Sequence, residues 1–374
     1  MANAQGLTTD GAGESTTSSS FSHLVKTERV KELLRSHDRS FYAHFVFIFI
    51  CVTLDLWETA FWVSRAVEAI ALGSTTGILS GWIGQLGHDA GHGQAPKGNM
   101  PLQRVFQLFL GPVCLGFSST WWINKHVIHH KYSNWEGKDG DLNIPLPFTA
   151  NQARERGKTA DSFRIKNARW IFPLILPLQA INARISSIFY VFKSKDRLRG
   201  KVLQLGGIAS HLALYGLLLY VIVQHAGWHN ALWFAAFHQG VHGFYNACVF
   251  ATNHKGMPVF PPNQKPEWLD LQILTSRNVR VDWEIFHLRH GWILERIVDE
   301  LVTWLYGGLN YQIEHHLFPT MPRANLRKVR PLVIEFCRQH GYDYYETGVI
   351  RSYREVLQNF ENVRIELLDS PMGA

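Results

Sequence analysis

The chain has 374 residues, enough for one to three domains. Its 37 Lys and Arg against 30 Asp and Glu leave a charge of +7. With 46% hydrophobic and 18% charged residues it is no intrinsically disordered protein, and four Cys are too few for a disulfide scaffold. Mean hydropathy of −0.08 fits a soluble or a membrane protein, and 19 His, about one residue in twenty, call for an explanation.

Residues 1–20 are rich in Ser, Thr and Gly, without Lys, Arg or an apolar run. They predict a disordered tail over 1–25, not a signal or transit peptide. Apolar helices are predicted from about Phe41 to Val63 and over 69–87. Residues 202–223 and 228–252 carry no charge in 22 and 25 positions. About 20 apolar residues cross a hydrocarbon core of about 30 Å, so four spans are expected, paired in two helical hairpins. Residues 105–124 and 170–192 are also apolar but are broken by Gly111, Pro112, Pro173 and Pro177, which predicts segments lying along the interface.

Positive charge sets the orientation. Residues 26–39 and 193–201 each hold five Lys and Arg, while the link at 224–227 has none. By the positive-inside rule both termini and the 125–200 region are cytoplasmic. The excess charge is thus membrane orientation, and no nucleic-acid partner is expected. Beyond Pro319 two amphipathic helices are predicted, near 325–339 and 350–366.

Three histidine clusters have ligand spacing. His88 and His92 are i and i+4; His126, His129 and His130 are i, i+3 and i+4; Gln312, His315 and His316 repeat that spacing. Such positions share one helix face, so the imidazoles of a cluster can reach one metal. A single pair is as readily explained by packing. Three clusters, each next to an apolar segment and each on the cytoplasmic side, are not. His254, where the fourth span exits on that side, brings the count to eight, too many for one tetrahedral zinc and suited to two metals. Imidazole alone does not choose among Fe, Zn, Cu and Ni. His211, His238 and His242 lie inside spans, where core packing competes with function. His287 and His290 precede the third cluster and could be mistaken for ligands. No Cys-x-x-Cys and no Gly-rich dinucleotide fingerprint occurs, so electrons for redox chemistry must come from another protein.

With these residues the sequence resembles the membrane-bound fatty acid desaturases, whose three histidine boxes read here HDAGH (88–92), HVIHH (126–130) and QIEHH (312–316). The flanking words NHKGMP (253–258), QILTSRN (272–278) and GGLNYQIEHHLFPTMPRANL (307–326) match as well, and the resemblance covers roughly 40–340. Gln in the third box resembles the front-end desaturases, which act between an existing double bond and the carboxyl end. Residues 279–305 are longer than this part of the family usually is.

The resemblance implies an all-α integral membrane protein with a cytoplasmic helical cap. A di-iron centre is held by His88, His92, His126, His129, His130, His254, His315 and His316. Gln312 is a poor iron ligand and is expected to hold a water. Dioxygen is the co-substrate, and the acyl chain arrives as acyl-CoA, acyl carrier protein or lipid. A His-Pro-Gly-Gly haem motif is absent from the sequence, so the expectation is a bacterial cell membrane and a ferredoxin-like donor with its NAD(P)H reductase. Asp89, Asp139, Asp141 and Glu314 are candidates to orient imidazoles. Trp121 and Trp122 are candidates to line an acyl tunnel. The basic run at 193–201 reads as a lipid contact before a phosphate site. The expected domains are the tail, a membrane desaturase domain over 26–340, and a C-terminal helix and tail over 341–374. The nearest rival is a membrane di-iron hydroxylase; a His-based transporter and a zinc hydrolase are the others.

Overall fold

A computed structural model describes residues 11–36, 39–282 and 292–369, with the side chains of 11–16 and 292 excepted. His37, His287 and His290 lie outside the described residues. Helix dominates, and the described chain divides into two compact units. One is drawn from 39–124 and 175–248, the other from 11–36, 125–174 and 249–369.

Four helical stretches are long and apolar enough to cross a bilayer: one ending at Trp62, then Ala66–Gly91, Ala168–Lys193 and Leu198–Ala226, with mean hydropathies of 1.7, 1.2, 1.3 and 1.8. The number matches expectation but the membership differs. Ala168–Lys193 joins the set despite its prolines. Trp228–His254 has 27 residues but is not in it, because four His, three Asn and one Gln dilute its apolar character.

In the first unit, helix Arg39–Trp62 packs beside Ala66–Gly91, where Thr76 Oγ1 donates to the buried Asp55 Oδ2 at 2.6 Å. The second helix carries glycines four apart. A Cβ on Gly73 would stand 2.6 Å from the Phe234 carbonyl oxygen, and one on Gly77 2.9 Å from that of His238. Small residues at this spacing let helix backbones touch, which is how apolar helices gain packing where lipid offers no hydrophobic drive.

The broken stretch folds as a helix (Met100–Leu108), a π-helical turn (Phe109–Leu115) containing Pro112, and Gly116 in left-handed backbone at φ 73°. This turn frees carbonyls that need donors. Arg184 Nε donates to the Leu115 oxygen at 2.9 Å, and His211 Nδ1 to that of Val113 at 3.2 Å. His238 contacts Ser80 Oγ at 3.1 Å and the Tyr215 hydroxyl at 3.2 Å. His211 and His238 are therefore packing histidines, satisfied within the bundle.

In the second unit the tail read as disordered is helical from Gly11 to Lys26. Phe21 gives it an anchor, at 5.7, 5.6 and 5.5 Å from the rings of Trp268, Phe318 and Phe336. The helices Arg323–His340 and Val349–Asp369 lie where amphipathic helices were predicted. A short parallel pairing of Asn278–Arg280 with Glu346–Gly348 draws the C-terminal segment alongside the chain that leads to the third box.

Arg277 fixes that region. Its guanidinium is wholly buried, donates to the carbonyls of Thr252 and Lys255, and pairs with Glu355. The carbonyls at the end of helix Trp228–His254 thereby gain a cation, as helix C-termini favour. His254 sits between them.

Candidate metal centre

The second unit holds six of the eight predicted histidines and Gln312. His126, His129 and His130 lie on Ser119–Tyr132, His254 at the end of Trp228–His254, and Gln312, His315 and His316 on the six-residue helix Gln312–Leu317. All of the third box is buried.

His129, His254 and His316 bring one ring nitrogen each within 4.8 Å of one another. Their other nitrogens decide which atoms these are. His129 Nδ1 donates to Asp139 Oδ2 at 2.9 Å. His254 Nδ1 donates to the Thr275 carbonyl oxygen at 3.0 Å, an atom that can only accept. His316 Nδ1 donates to Gln272 Oε1 at 3.0 Å, and the Gln272 amide is set by its own N–H bond to the Trp268 oxygen at 3.2 Å. With each Nδ1 protonated, three Nε2 lone pairs face one volume. Those of His129 and His254 are 3.3 Å apart, and that of His316 is buried without a hydrogen bond. Converging lone pairs repel until a cation lies between them, and holding the outer nitrogen is how metal sites fix imidazole tautomers. The donor set therefore fits a soft to borderline divalent metal such as iron.

Charge supports the arrangement. Burial lowers the basicity of His129, but Asp139 outweighs it and raises the imidazole above its usual range. Burial, joined by the neighbouring imidazoles, holds His316 neutral, as a ligand must be. Asp141 is opposed by burial yet held well below the carboxylate range by Lys125, His129 and Lys255. Asp139 also accepts the backbone N–H groups of Asn134 and Asp141, each at 2.9 Å, so the carboxylate is rigid.

The remaining imidazoles of this unit cluster beside the trio. His130 stacks on His316 at 4.2 Å between ring centroids and stands 4.8 Å from His315, while His126 and His130 bring Nε2 atoms to 3.1 Å. Glu314 points away. Its oxygens accept from Asn278 and the Tyr344 hydroxyl, both at 2.7 Å, and burial pushes its carboxyl above the usual range against those bonds. It thus anchors the third box through Asn278 and Tyr344.

In the first unit, His88 and His92 lie 4.6 Å apart and edge-on to Trp122, at 5.5 and 6.2 Å. Asp89 Oδ1 is 3.6 Å from His88 Nδ1. A small cavity beside His88 is lined by Gly84, Gly87, Leu115, Phe117 and Trp122. Trp121 instead meets Phe117, at 6.1 Å.

Thr275 and Gln272 were not predicted. Both lie in the word QILTSRN, whose Arg277 and Asn278 hold the ligand helices; the word marked the place without revealing the roles.

Helices long and apolar enough to cross a bilayer, together with a buried nest of imidazoles that could hold a metal, suggest a membrane protein with a metal site. Comparison with known proteins is narrower. The family model for fatty acid desaturase matches residues 65–348, more than half of the chain, so the chain belongs to the fatty acid desaturase family. It is 32% identical over 300 residues to a Delta(5) fatty acid desaturase of Caenorhabditis elegans, covering 77% of this chain and 62% of that protein. It is 29% identical over 322 residues to a Delta(6)-fatty-acid desaturase of the same organism, covering 83% and 68%. An acyl-lipid (9-3)-desaturase of Physcomitrium patens is 30% identical over 295 residues, covering 75% and 50%. The chain thus spans half to two thirds of the length of these relatives.

Proposed function

We propose that the protein is an oxygen-dependent acyl desaturase, with two irons held by His88, His92, His126, His129, His130, His254, His315 and His316. The observation that carries this reading is the trio His129, His254 and His316, with every outer nitrogen occupied and every inner lone pair directed at one volume. The relatives named Delta(5) and Delta(6) desaturases support front-end regiochemistry, and the one named an acyl-lipid desaturase supports a lipid-linked chain, with a CoA-linked chain as the alternative.

Two irons held by these residues would, with dioxygen, supply the oxidising power that an unactivated methylene requires. The reaction removes two hydrogens from adjacent carbons and reduces dioxygen to two waters, with two electrons from a donor and two protons from solvent. The electrons are taken to come from a separate carrier of ferredoxin type with its reductase. The protein's own groups fix imidazole geometry through Asp139, Thr275 and Gln272 and exclude water from buried nitrogens. The helices pair as two hairpins, with the histidines and both termini on the cytoplasmic side.

The test is expression with ferredoxin and its reductase, followed by profiling of membrane fatty acids by chain length and double-bond position. New unsaturated species that vanish in His129→Ala and His315→Ala support the desaturase. Hydroxylated products would instead assign the related hydroxylase reaction. Stoichiometric zinc with little iron, metal exchange having been controlled, would sink the di-iron reading.

A further inference from the structure

Gln312 occupies the box position where the sequence pattern allows His, and a carboxamide can offer a metal only its oxygen. Which end of the amide enters the pocket therefore decides its chemistry, and a chain of bonds with one fixed end settles it. The Leu309 backbone oxygen can only accept, and Asn253 Nδ2 donates to it at 3.1 Å. That fixes the Asn253 amide, whose oxygen in turn lies 3.4 Å from the Thr252 hydroxyl as its acceptor. The same Nδ2 donates to Gln312 Oε1 at 3.0 Å. Gln312 Oε1 is thus engaged on the side of Asn253, and Gln312 Nε2 faces the trio, 2.8 Å from His254 Nε2, the nitrogen whose lone pair a bound metal would take up. Asn253 is wholly buried, and Gln312 and His254 are nearly so, so water does not compete for these bonds.

We propose that Asn253 is a positioning residue that locks the Gln312 carboxamide with its NH2 toward the metal volume, making Gln312 a hydrogen-bond donor there and not a ligand. The proposal rests on the metal-site reading above. An N–H aimed at that volume has no lone pair for a cation and attracts electron-rich oxygen. Gln312 is therefore placed to donate to a water or dioxygen oxygen in that volume. A histidine in its place would add a ligand and remove the donor.

The test uses full-length protein in detergent, loaded with cobalt(II), read by metal stoichiometry and by ligand-field absorption, which reports coordination number. Gln312→Ala should leave both unchanged. Asn253→Asp replaces the donor by an acceptor, turns the Gln312 oxygen toward the metal, and should shift the absorption toward higher coordination. The double variant Asn253→Asp/Gln312→Ala should return the wild-type spectrum. A shift in Gln312→Ala alone would show Gln312 to be a ligand and overturn the proposal. So would an unshifted Asn253→Asp, or a double variant that keeps the shift.

Should Asn253→Asp fail to fold, Gln312→Glu asks the same question. One carboxylate oxygen keeps the bond from Asn253 and the other replaces the NH2, so the spectrum should shift where that of Gln312→Ala does not. Identical spectra for these two would overturn the proposal. These readings do not depend on turnover: a wild type that binds cobalt but makes no unsaturated chain refutes the desaturase reading alone.

Discussion

Removing the Asp139 carboxylate leaves His129 Nδ1 without its acceptor and frees the ring to adopt the other tautomer. Loss of such an outer partner typically weakens metal binding about 10–100-fold. Asp139→Ala should therefore release iron to a competing chelator at about 10–100-fold lower chelator concentration, while Glu314→Gln, whose side chain bonds Asn278 and Tyr344, should change that figure far less. Equal losses in the two variants would contradict the roles assigned. The proposed ligands of the three boxes were legible because helical spacing puts each box on one face, and His254 because it stands where an apolar run ends. Asp139 was legible as an acid near the second box. Thr275 was not, since its contribution is a backbone carbonyl that any residue carries. Gln272 was not, since it lies 44 positions from His316 with no period to link them.

Among the elements, the glycines of Ala66–Gly91 make a sharper statement than its hydropathy. Gly77→Leu must push the Trp228–His254 backbone away, because even a Cβ there meets atoms at 2.9 Å. Overpacking of this kind costs about 1–3 kcal/mol, so the apparent unfolding temperature in detergent should fall. Gly216→Ala, where nothing stands within 4 Å, serves as the control and should leave it level or slightly raised. A Gly77→Leu protein as stable as the control would refute the close approach. Charge-free runs announced the helices from sequence, but their contacts were silent there: a glycine in an apolar run reads as neutral until the partner backbone is seen. The same holds for the π-helical turn, which the sequence showed only as a break at Pro112. The structure adds why Arg184 and His211 stand among apolar residues.

At the scale of the molecule, two membrane topologies compete. Hydropathy admits Ala168–Lys193 as a span and omits Trp228–His254, whereas charge places the basic run 193–201 on the cytoplasmic side. We expect charge to decide. In a chain freed of its four cysteines, a Lys195→Cys variant should react with an impermeant maleimide only after the cell is permeabilised, and a Gln224→Cys variant should react in intact cells. The reverse pattern would make 168–193 a true crossing.

The pair of the buried Arg277 with the partly exposed Glu355 belongs to this scale too, since it ties the last helix to the backbone around His254. Breaking one partner of a buried pair costs about 3–5 kcal/mol. Arg277→Met should lower the unfolding free energy in a denaturant titration by about that much and shed metal. Loss of metal without loss of stability would point to a more direct role for the guanidinium.

The two partners lie 78 positions apart. At about 5–20 residues per second, synthesis leaves this guanidinium without its carboxylate for about 4–16 s after it is made. By the end of that time every histidine proposed as a ligand has been translated, and until then the carbonyls on either side of His254 face a guanidinium without its carboxylate. On the two-iron reading, a ribosome that stops short of the final helix would release a protein with all its proposed ligands but without the carboxylate that completes this anchor.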